Sequence, residues 1–119
     1  MEDDPFNYSI FSILFCLSYS YMELHHYTEA LECLNECLEY YSDSPDVYFR
    51  RSQARIYNKF SMEESNLLAL IDIKKAIKLK SIEDKMYQEH LEKVEERIKQ
   101  VKNENIARIN GKYLKNLYH

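Results

Sequence analysis

The sequence predicts an all-α protein, two antiparallel helix pairs followed by one long closing helix. Three observations carry that expectation. The 119 residues include a single glycine, Gly111, and two prolines, Pro5 and Pro45, whereas strand-and-turn folds use both types freely at turns. Apolar residues recur at 3-4 spacing, the signature of one helix face. The first four segments also read as two copies of one pattern, and such internal repeats point to stacked helical units. The length fits one domain, 1–119, and a 45% hydrophobic, 13% aromatic composition can supply its core.

The first pair is expected over 5–41. Asp3 or Asp4 can cap a helix with Pro5 in its first turn, where the missing N–H costs nothing. That helix should run to about Leu24, with His25-His26 as a turn. Tyr27, Ala30, Leu31, Leu34, Cys37, Leu38 and Tyr41 then mark the inner face of a second helix, and Glu29, Glu32, Glu36 and Glu39 its outer face. The second pair is expected over 44–79. Ser44 is a good N-cap with Pro45 at the first helical position, and the third helix should end near Asn58 or Lys59. About five extra residues fall in the turn around 58–62. Ser61 and Glu64 make a capping box for a fourth helix running through Leu67, Ile71, Ile73 and Ile77. Ser81 with Asp84 repeats that logic and opens a last helix over 82–118, striped by Ile82, Met86, His90, Leu91, Val94, Ile98 and Val101, with Gly111 a candidate kink.

The net charge of −4 conceals a split. Met1 to Phe49 contains ten acidic residues and no Lys or Arg; from Arg50 onward sixteen basic residues face ten acidic ones. Two readings stand: solvated faces of opposite sign that attract within the fold, or a bipolar surface that steers partners. With a pI near 5.6 and no dense basic stripe, nucleic-acid binding is not expected. Three cysteines do not make a disulfide framework, and they suit a reducing, cytoplasmic setting. Met-Glu-Asp-Asp lacks the basic start of a secretory signal. The uncharged run from Pro5 to Met22 includes Asn7 and four serines, too polar for an expected membrane span.

The repeat has small residues (Ser18, Ala30, Cys37, then Ser52, Ala54, Ala69, Ala76) where helices would cross, and larger ones (Leu17, Tyr21, Tyr27, Leu34) around them. In this it resembles the tetratricopeptide repeat. The run from Tyr27 to Tyr57, with Asp46-Val47-Tyr48-Phe49-Arg50-Arg51-Ser52, and the closing Lys112-Tyr113-Leu114-Lys115-Asn116-Leu117-Tyr118 resemble the C-terminal domain of the large immunophilins, the FKBP-type prolyl isomerases, over roughly residues 10 to 118. The resemblance implies a right-handed superhelical fragment whose groove holds acidic chaperone tails by their carboxylates. Several departures weaken that implication. One repeat and the isomerase domain are missing, Asp46 stands where the family has Lys, and Cys16 stands where it has Asn. Only Arg50 survives, so a normal clamp is not expected.

No nucleophile sits in a Gly-flanked turn and no phosphate loop is present, so neither catalysis nor a cofactor is expected. Cys33 and Cys37, one turn apart below His25 and His26, could suggest a metal. The two histidines diverge, however, and packing is the expected role of both cysteines, with no metal site. Arg50, Arg51 and Arg55 could seat an acidic or C-terminal peptide in a groove with Phe49, Gln53, Ile56 and Tyr57, or could neutralise Glu36, Glu39 and Asp43. Finally, Phe6, Tyr8, Ile10, Phe11, Ile13, Leu14, Phe15, Leu17, Tyr19 and Tyr21 surround the first helix on nearly all sides. Two neighbours can cover only part of that surface, and the remainder is an expected interface. The functional expectation is a non-enzymatic adaptor or structural subunit. It would bind another chain, or a second copy, through Phe11, Phe15, Tyr19, Phe49, Arg50, Arg51, Gln53 and Tyr57. The alternative is an immunophilin-like chaperone cofactor.

Overall fold

The computed structural model describes residues 4–58 and 63–117, with side chains described as far as Lys112. Every regular element in that range is an α-helix: α1 (Pro5–Glu23), α2 (Tyr27–Tyr40), α3 (Pro45–Tyr57), α4 (Glu63–Leu79) and α5 (Lys85–Leu117). The all-α expectation holds.

Local chemistry sets the boundaries. Asp4 is the cap of α1, its carboxylate accepting from the Phe6 N–H at 2.9 Å. The chain reverses at His25, whose φ of 61° lies in the left-handed region, and the His26 N–H closes the turn on the Tyr21 carbonyl. Pro45 enters α3 at its first position, but Ser44 makes no side-chain cap bond. Ser61, with its capping box, and most of the extra residues at 58–62 lie outside the described residues, as do Met1 to Asp3 and Tyr118. The last helix begins three residues later than expected. Asp84, not Ser81, accepts from the Met86 and Tyr87 N–H groups, so Ile82 stays outside the helix. Gly111 lies inside α5, which continues past it to Leu117, and a Cβ there would meet nothing within 4 Å.

Packing follows the small residues. Ser18 and Ala30 are fully buried where α1 meets α2, and Ser52, Ala54, Ala69 and Ala76 are fully buried where α3 meets its neighbours. One apolar cluster gathers Leu34, Cys37, Val47 and Ala54, with Phe11, Leu14 and Phe15 against it. A second gathers Ala69, Ile73, Ala76, Tyr87 and Val94, with Tyr48, Phe49 and Leu91. The helix α3 contributes to both. The molecule measures 68 × 29 × 24 Å, long because α5 outruns α4. Asn105 reaches back to Glu63 at the start of α4, and the last three turns of α5 stand beyond it.

Candidate functional site

The helix α1 buries only Ser18 completely. Successive residues on a helix turn through roughly 100°, which places Ser18, Phe11 and Met22 toward α2. Phe15 and Tyr19 lie on the flank that meets α3. On the far flank are Phe6, Ile13, Leu17 and Leu24, which are 70, 66, 41 and 64% exposed. Ile10 lies half-buried along the same stripe. No charged residue interrupts α1 between Pro5 and Met22. The expected apolar remainder is present, and it faces away from the rest of the stack.

The eight candidate binding residues do not form one site. Tyr19, Phe49, Arg50, Gln53 and Tyr57 line one cleft of about 360 Å³ together with Tyr27 and Met86. Phe15 borders it by stacking under Arg50, whose guanidinium carbon lies 3.8 Å from the ring centre. Phe11 is elsewhere, packed edge-on to Tyr41 with centroids 5.1 Å apart. Arg51 points away from the cleft, toward α4.

The arginines make their contacts within the fold. Arg50 donates to the Phe15 carbonyl at 2.9 Å and to the Ser18 hydroxyl at 3.4 Å, and its charge also lies over the Tyr19 ring. It ties α3 to α1. Burial lowers its pKa, while Asp46 acts in the opposite sense. Arg51 grips Asp72 of α4 with two bonds of 2.9 and 2.7 Å and also donates to Asn35. The Nε of Arg55 lies 3.5 Å from the same carboxylate. Neutralisation does occur, but by Asp72 rather than by Glu36, Glu39 or Asp43. Sequence reasoning missed Asp72. The available signal was a lone carboxylate inside the run from Leu67 to Ile73, where a buried charge requires a partner.

A second polar lock joins α3 to α5. The Ser52 hydroxyl donates to the Ala69 carbonyl at 2.7 Å and lies 2.9 Å from His90 Nε2. A hydroxyl has one proton, so the imidazole must donate through Nε2, leaving Nδ1 as a bare acceptor. Nδ1 has no hydrogen-bond partner, and burial pushes the His90 pKa down to about 4. Asp46, which stands where the immunophilins have lysine, accepts a hydrogen bond from Tyr87.

The cysteines serve packing. Cys33 and Cys37 are buried, and Cys37 contacts the Phe11 carbonyl across the pair at 3.7 Å. Burial raises the Cys37 pKa to about 11, and burial with nearby Glu36 and Glu32 raises that of Cys33. Among the described residues no group of three or more His, Cys, Asp or Glu could hold a metal ion. No helix among them is long and apolar enough to cross a membrane.

A protein-family model, Paf67 (RNA polymerase I-associated factor PAF67), matches residues 6–116, which takes in all five helices. A search of curated proteins finds no match. The family match overturns the tetratricopeptide and immunophilin resemblance, which covers nearly the same residues. Small residues at crossings with large ones around them are what any stack of helical hairpins requires. That pattern specifies the packing, not the family.

Proposed function

The chain belongs to the Paf67 family, the RNA polymerase I-associated factors, and from that premise we propose that it is a non-enzymatic subunit of such an assembly, working through protein–protein contact. The observation that carries this reading is the outward stripe of α1, where Phe6, Ile13, Leu17 and Leu24 remain exposed on a helix face without charge. Large apolar patches mark interfaces. A binding role also suits the groups that could do chemistry. The thiols of Cys33 and Cys37 are held up by burial, which keeps the reactive thiolate scarce. His90, Asp72 and the arginines are engaged between helices. Such free thiols fit a reducing compartment.

The test is to isolate RNA polymerase I from cells expressing the tagged chain and to look for the chain by mass spectrometry. The wild type should co-isolate, and the doubly substituted Ile13→Asp/Leu17→Asp chain should not, while keeping its helical circular dichroism. A wild-type chain absent from the isolate, or a variant retained as well as wild type, would refute the proposal.

A further inference from the structure

We infer that the outward face of the α1–α2 pair docks an amphipathic helix of a partner chain, one whose apolar stripe is edged by lysine or arginine. The inference rests on the reading of α1 as an interface and names the chemistry of what covers it.

The argument starts with what borders the stripe. On α2, Cys37 faces α1 through the Phe11 carbonyl, and Asn35 faces α3 through Arg51. Stepping roughly 100° per residue, Glu29 and Glu36 fall roughly 160° from Leu31 and Leu38; Glu36 lies on the edge away from α3, and Glu29, at the start of α2, also borders a cleft with Asn58 at the end of α3. The α1 stripe likewise lies roughly 160° from Phe15 and Tyr19, which meet Arg50. Both elements therefore turn the same way, α1 presenting apolar side chains and α2 presenting exposed carboxylates beside them. Glu36 and Glu32 already act on the Cys33 thiol at this edge. Glu23 adds a further exposed carboxylate at the end of α1. Within α1 and α2 themselves no lysine or arginine stands beside these acids. A helix lying along α1 meets grease under one stripe and unopposed negative charge along one edge. Complementarity then calls for a basic edge.

A second copy fits this face poorly. Two copies packed face to face with antiparallel α1 helices would set Glu29 and Glu36 against the same acids. The chain's own basic helix end, α5 beyond Asn105, exposes only Ile106 and Ile109 as large apolar groups among its described side chains. That stretch of twelve residues spans about 18 Å, against about 27 Å for the stripe from Phe6 to Leu24.

The test uses the purified full chain and three fluorescent helical peptides, each of about 20 residues to match the stripe. Two share a leucine stripe and differ in having a Lys edge or a Glu edge; the third is residues 98–117 of this chain. Fluorescence anisotropy should show the Lys-edged peptide binding about tenfold tighter than the Glu-edged one, with the gap narrowing as salt is raised. Leu17→Asp should abolish binding of both. The doubly substituted Glu29→Lys/Glu36→Lys chain should reverse the preference, and these exposed positions permit a fold check by circular dichroism. Equal affinity for the Lys- and Glu-edged peptides would overturn the basic partner while leaving α1 as an interface. Tight binding of the 98–117 peptide, with self-association of the intact chain in light scattering, would overturn it in favour of a second copy. No binding of any peptide would also overturn it, and co-isolation with the polymerase would then show separately whether the subunit reading stands.

Discussion

The buried imidazole of His90 makes stability depend on pH in a calculable way. The residue is 3% exposed, between Phe49, Ser52 and Tyr57 of α3, with Lys93 the charged group on its own helix that also lowers its pKa. Its pKa falls from 6.5 to about 4 on folding. The unfolded chain therefore binds more protons than the folded one between those values. Stability is complete above the unfolded value of 6.5 and is lost as pH falls toward about 4. At ~1.36 kcal/mol per unit, the full loss is about 3 kcal/mol, of which about 2 kcal/mol falls between pH 7 and pH 5. That is a large share of the ~5–15 kcal/mol that holds a small domain. Urea unfolding followed by circular dichroism at several pH values reads it directly. The His90→Gln variant supplies the background from every other group, and only the difference in slope matters. Wild type should lose about 2 kcal/mol more than the variant over that interval. Parallel stability curves for the two proteins would refute the buried, proton-excluding site.

Three further outcomes follow from the contacts of α3 and the end of α5. Replacing Asp72 by Asn leaves Arg51 and Arg55 largely buried without their counter-charge, and should cost about 3 kcal/mol in chemical denaturation; a loss below about 1 kcal/mol would mean the guanidiniums find water instead. Replacing Arg50 by Leu removes the bonds to the Phe15 carbonyl and Ser18, and should cost about 2 kcal/mol. It should also speed proteolytic cutting in the α2–α3 turn at 41–44, a change that limited proteolysis would detect. Replacing Gly111 by Ala, where the added methyl meets open space, should favour the local helix by about 0.5–1 kcal/mol; circular dichroism should show more helix and no loss of melting temperature.

The helices and the outward face of α1 were legible in the sequence, and for the same reason: both depend on which residues lie in a row. An uncharged stretch from Pro5 to Met22 cannot be covered all round by two neighbouring helices, so an exposed stripe follows from residue order alone. The start of α5 was harder, because Ser81 and Asp84 can each cap a helix, and only the folded backbone shows which oxygen reaches the Met86 and Tyr87 N–H groups. The arginine partners were legible only in part: Asp72 stands out as a lone carboxylate in an apolar run, but its pairing with Arg51 and Arg55 does not. The chain offers twenty carboxylates, and the choice of Asp72 depends on which one α4 carries into the interior opposite Arg51. Family membership was hidden by the generality of small-residue crossings.

These polar contacts also explain why α1 is the surface left over. Apolar contacts between helices tolerate sliding, whereas a directional bond fixes one register. Here α3 carries three such bonds at successive positions: Arg50 to the α1 backbone, Arg51 to Asp72 of α4, and Ser52 to His90 of α5. Three adjacent residues point in three directions because each turns roughly 100° from the last, so α3 locks three different helices. The arginines that could have received an acidic peptide are already engaged in that lock. What remains uncovered is the far side of α1, apolar and bordered by acids, and that is where a binding function has room to act.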